Sequence, residues 1–124
     1  MQTQEIPRQQ WGPFLNIFSR AHLGQQVKLW VSSPEAGLLR EAVNLPLVGA
    51  FAEPPRGSNE RINIIVGGSP IAHVTHQIQW PSAVRVAIDD AGNTMSVQID
   101  ADDRTSTFID LAQPASKPAP AAIA

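Results

Sequence analysis

The 124-residue sequence predicts a mainly β fold: an N-terminal α-helix packed on a small antiparallel meander barrel or strongly bent sheet of about 6–8 strands. Two observations carry this expectation. Apolar residues recur at helical spacing only before Gly24, and at a spacing of two after it. The alternating segments are separated by short clusters of Gly, Pro, Asp, Asn and Ser, which join antiparallel neighbours through tight turns rather than crossover helices.

The helix comes first. Trp11, Phe14, Leu15, Phe18 and His22 fall on one helical face, and the helix proper begins near residue 12 or 13 because Pro13 is tolerated only in a first turn. "PRQQW" is a preceding turn, and Gly24 is the expected C-terminal cap. Strands follow. "QVKLWVS" places Val27, Leu29 and Val31 on one face, "ERINIIVGG" does so with Ile62, Ile64 and Val66, "AVRVAID" with Val84, Val86 and Ile88, and "MSVQID" with Met95, Val97 and Ile99. "LLREAVNLPLVGAFAE" is long for one strand. It reads as one bent strand or two strands with a kink near Pro46 to Gly49, since proline cannot donate to a ladder and glycine marks a bend.

Residues 1–111 are expected to form one domain, with 112–124 ("QPASKPAPAAIA" and its flank) a disordered Pro/Ala-rich tail. There are no cysteines, which excludes disulfides, thiolate metal sites and cysteine nucleophiles and points to a reducing compartment. The N-terminus lacks the apolar segment of a signal peptide, and no apolar run approaches the roughly 18 residues of a membrane span. The protein is therefore read as soluble and cytoplasmic. The net charge of −2 is spread without a Lys/Arg stripe, which weighs against nucleic acid as a partner.

Two of the three histidines sit in "HVTHQIQW". On a strand, Val74, His76, Ile78 and Trp80 share the apolar face, while His73, Thr75, Gln77 and Gln79 share the other. His76 should then face inward and bond a hydroxyl or backbone group, with His73 outside. Spacing of three diverges on a strand, so no metal pair is expected. The candidate ligand-binding residues are His22, His73, Thr75, His76 and Trp80, gathered at a pocket mouth. Trp30 and Ile65 fall on the outer faces of their strands and are the candidate interface residues. Asp89 and Asp90, and Asp100, Asp102 and Asp103, form two acidic clusters at opposite ends of one strand, too far apart for a shared site. "VGGSP" lacks the context of a phosphate cradle, and there is no G-x-S-x-G elbow. No catalytic residue, metal or cofactor is assigned.

"EIPRQQW", "FLNIFSRAHLG", "VNLPLVG" and "HVTHQIQWPSAVRV" resemble a family of small bacterial proteins known only as a domain of unknown function, from about Glu5 to Leu111. The blocks EIPR…W…F…FSR…H…G and HVTH.I..P..V carry the resemblance through Trp11, Phe14, Phe18, Arg20, His22, His73, Thr75 and His76. It implies a standalone single-domain protein and no particular activity. A looser likeness is to the Sm-like fold, a helix followed by a strongly bent five-stranded barrel that assembles into rings, although the strand count here is higher and the RNA-contacting loop signatures are missing. The leading expectation is a non-catalytic binding or protein-interaction module that self-associates or meets a protein partner. The alternatives are a small ligand-binding or enzymatic barrel using His73, His76 or His22, and an Sm-like RNA-binding ring.

Overall fold

The computed structural model describes residues 2–53, 61–67 and 74–111. A short strand β1 (Gln2–Ile6) leads through a 3-10 turn (Arg8–Gln10) into the helix α1 (Trp11–Ala21). Seven strands follow: β2 (Gln26–Ser33), β3 (Gly37–Ala52), β4 (Arg61–Val66), β5 (Val74–Gln79), β6 (Pro81–Ile88), β7 (Thr94–Ala101) and β8 (Ser106–Leu111). All pairings are antiparallel, in the order β1-β6-β7-β8-β2-β3-β4-β5. The predicted helix-plus-meander is therefore present, as a bent sheet that stays open between its end strands β1 and β5 rather than as a closed barrel. β1 was not foreseen, because four of its five residues are exposed and it carries no apolar alternation. The predicted tail and the turns around 54–60 and 68–73 lie outside the described residues.

Two corners fold the sheet over itself. The first is within β3. Its first half pairs with β2 as far as Pro46, its second half pairs with β4 from Leu47, and register shifts mark both ladders. Asn44 takes φ 53°, a conformation asparagine tolerates better than most residues, just before the expected kink at Pro46 to Gly49. The second corner is a single residue, Trp80, between β5 and β6. The two layers face each other across one core, to which Leu29, Ile64, Val84, Val97, Ile99 and Ile109 contribute fully buried side chains.

Among the described residues, the kink leaves one edge of β3 without a partner strand after Leu47, and α1 with its following loop covers it. Trp11, Leu15 and Phe18 bury the predicted apolar face, joined by Ser19. The Ser19 hydroxyl donates to the Ala50 carbonyl (3.0 Å) and accepts the Ala50 amide (2.8 Å), both buried. The loop completes the cover: Gly24 N–H donates to Leu47 C=O (2.8 Å), and Leu47 N–H to Gln25 C=O (2.9 Å). Gly24 supports this turn at φ 83°. The helix thus replaces a strand, and the backbone groups of Leu47 and Ala50 that would otherwise template another chain are satisfied.

The outer face of the larger layer carries a ladder of paired residues across six strands: Glu5, Arg85, Gln98, Phe108, Trp30 and Arg40. Beside it, Asp100 accepts hydrogen bonds from Gln98 (2.9 Å), Ser106 (2.7 Å) and Arg85. Burial pushes the Asp100 carboxyl up, but those three donors outweigh it and hold the carboxyl below its ordinary value. Because the folded-state pKa is the lower one, this contribution to stability is present above the unfolded value of 3.8 and is lost as pH falls through the folded value. Asp100→Asn is expected to flatten the acid side of a stability-versus-pH curve below about pH 4. An unchanged slope in urea titrations at several pH values would refute the role given to Asp100.

Candidate functional site

β5 alternates as its sequence predicts from Val74 to Gln79, but Trp80, expected to share the inner face, lies beyond the end of the strand and is exposed. Val74, His76 and Ile78 turn toward the core, and Thr75, Gln77 and Gln79 are exposed. Ile64 on β4 pairs with His76 and is itself fully buried, so the histidine sits on the inner face of its layer. Across the core its Nε2 meets the Thr107 hydroxyl of β8 at 3.3 Å. Thr107 is 1% exposed, and β8 places it in line with Ile109 and Leu111 on the inner face. Burial holds His76 below its ordinary pKa of 6.5, with the charge of Glu41 on β3 pulling weakly the other way. At neutral pH the ring is therefore uncharged, and it can exchange one hydrogen bond with a hydroxyl on either side.

A cleft of about 450 Å³ opens beside this pair, where β5 passes over the ends of β7 and β8. His76, Ile78 and Trp80 line one side, and Val31, Ala101, Asp103, Thr105 and Thr107 the other. Its size lies within the range of small-ligand sites. Asp103 accepts the Thr105 hydroxyl (2.6 Å) and amide (3.0 Å), which hold its carboxyl below the ordinary value and keep it ionised.

Trp80 is the unusual member. It is 45% exposed, and it turns the chain with φ 56°, where a bulky residue pays a steric penalty and glycine does not. Its carbonyl accepts the Asp102 amide at 3.0 Å, tying the corner to the β7–β8 turn. The usual order of glycine and alanine should reverse here. Trp80→Gly is expected to be more stable than Trp80→Ala by about 1 kcal/mol. Equal midpoints in urea for the two variants would mean the corner relaxes out of this conformation.

The structure brings His76 and Trp80 together and sets Thr75 and His22 apart from them. Thr75 points to the opposite face of β5. His22 ends α1, packs its ring at a tilt against Phe18 with centroids 5.0 Å apart, and bonds Gln25 at 2.7 Å. It thus serves the loop that covers β3. His73 lies outside the described residues. Trp30 and Ile65 do not share a patch: Trp30 pairs with Arg40 before the kink in β3, and Ile65 pairs with Gly49 after it. Trp30 instead lines a groove of about 500 Å³ with Ser32, Leu38, Phe108 and Asp110. There burial raises the Asp110 carboxyl above its ordinary value, against the opposing pull of a hydrogen bond from Trp30 and the charge of Lys28. The two acidic turns fall at opposite ends of β7, as expected. Among the described residues no cluster of His, Asp and Glu could hold a metal, and no helix is long and apolar enough to cross a membrane.

The profile of one family, described as a family of unknown function (DUF5335), matches residues 2–120. No curated protein and no solved structure matches the chain.

Proposed function

The chain belongs to the DUF5335 family, whose function is unknown, and we propose that it is a non-catalytic binding module acting through the cleft between β5 and the β7–β8 turn. The observation that carries this reading is Trp80: a large, half-exposed aromatic ring held in a conformation that costs stability, on the wall of a cleft. Strain at an exposed bulky residue is retained where the side chain serves something other than folding. Binding rather than catalysis is favoured because the hydroxyl that meets His76 belongs to Thr107, which lies 1% exposed at the floor of the cleft, a poor position for a nucleophile that must approach a substrate carbon. The test is an NMR screen of the full chain against a library of small polar fragments. Shifts confined to the Trp80 indole and the His76 ring support the reading, and a library that leaves both unmoved removes it.

A second reading is self-association across the outer face. Leu38, 60% exposed, flanks the groove of Trp30 and Phe108, and an apolar surface of this kind suits contact with a second copy. Ile65 would take no part in it. This reading expects a dimer in analytical ultracentrifugation that Leu38→Ser converts to a monomer. A wild-type chain that is monomeric at high concentration would dismiss it.

A further inference from the structure

We propose that the cleft selects an organic cation of the alkylammonium class, seated between the Trp80 indole and the Asp103 carboxylate; this rests on the binding reading above. Among the described residues that line the cleft there is no lysine or arginine. Arg104, in the adjoining turn, is exposed and does not line it. The charges that do reach the cleft are negative. Asp103 is held ionised by Thr105, and Glu41 is close enough for its charge to act on His76. His76 itself is uncharged at neutral pH, because burial lowers its pKa. An anion entering here would meet the Asp103 carboxylate and feel the charge of Glu41, with no countercharge among the described lining residues, so phosphates, sulfates and carboxylic acids are disfavoured.

A cation is favoured on two counts. The face of an exposed indole is the strongest cation–π surface a protein offers, and a nearby carboxylate adds to it once water is displaced. The apolar wall of Val31, Ile78 and Ala101 suits the alkyl groups of a substituted ammonium better than a bare, strongly hydrated ion. The buried Thr107 hydroxyl, with His76 as its partner, gives the cleft floor a polar group that carries no charge.

The test compares two probes of the same shape, choline and 3,3-dimethyl-1-butanol, in which a carbon replaces the charged nitrogen. Both are titrated into the full chain while the indole and imidazole resonances of Trp80 and His76 are followed. Choline is expected to bind at least 10-fold more tightly than the alcohol. Trp80→Gly, which keeps the backbone conformation of the corner, should weaken choline at least 10-fold, and Asp103→Asn, which keeps an acceptor for Thr105, several-fold. If the alcohol binds as tightly as choline, the cation inference falls and the binding module stands. If neither probe moves either resonance, the cation inference also falls; the fragment screen then decides separately whether the cleft binds anything.

Discussion

Replacing Ser19 with alanine is expected to destabilise the protein by about 3 kcal/mol, far more than loss of one hydroxyl from a helix surface would suggest. The hydroxyl satisfies both backbone groups of Ala50, at 3.0 and 2.8 Å, and the site is buried. A methyl group in its place leaves a donor and an acceptor with neither water nor protein to bond. Each such group costs about 1–3 kcal/mol. In a domain of this size the loss should lower the melting temperature by about 10 °C. Amide exchange locates the effect: the Ala50 N–H should lose protection selectively, while core amides of β7 change only with global stability. A variant within 0.5 kcal/mol of wild type would mean that the helix does not seal the edge of β3.

Leu15→Ala is expected to cost a similar amount, about 3–4 kcal/mol, by a different mechanism. Leu15 is fully buried and lies one helical turn before Ser19, so it anchors α1 against the bent strand through packing. The truncation removes apolar burial and leaves a cavity between rigid elements that can close only by shifting the helix. That shift would also pull Ser19 away from Ala50. The double variant should therefore lose less than the two single losses combined, and a coupling of at least about 0.5 kcal/mol is expected from urea midpoints. Strict additivity would place packing and edge-sealing in independent parts of the interface.

Much of this architecture was legible in residue spacing. The period of α1, the alternation in β2, β4, β6 and β7, and the kink in the long strand all reflect local rules that hold whatever the surroundings. β1 was not legible, since an exposed polar strand pairs through its backbone and leaves no side-chain pattern. Nor was the choice between barrel and open sheet. It depends on whether the end strands meet, and side-chain alternation is the same in both cases. Ser19 was hidden for another reason: on an otherwise apolar helical face it looks like a boundary residue, and its partner lies 31 positions away.

The cleft was half legible. Alternation on one strand turned His76 inward beside Val74 and Ile78 and put Thr75 on the other face. It could not supply the opposing wall, which comes from β8 and the β7–β8 turn. One signal was present in the sequence: Thr107 occupies an inward position in line with Ile109 and Leu111, and a polar residue there needs a partner across the core. That partner is His76. His22 stands apart from His76 because it answers to the geometry of a helix end, where Phe18 and Gln25 hold it. Trp30 and Ile65 are both outward, as alternation requires, yet the kink between their partners on β3 separates them.

The most direct test of the binding account is native mass spectrometry of the full chain purified from its own host, beside Trp80→Gly prepared in the same way. A reproducible small-molecule adduct is expected on the wild-type chain and not on the variant, with both proteins folded. A wild-type chain that carries no adduct, or an adduct that survives the loss of the indole, would contradict the binding reading.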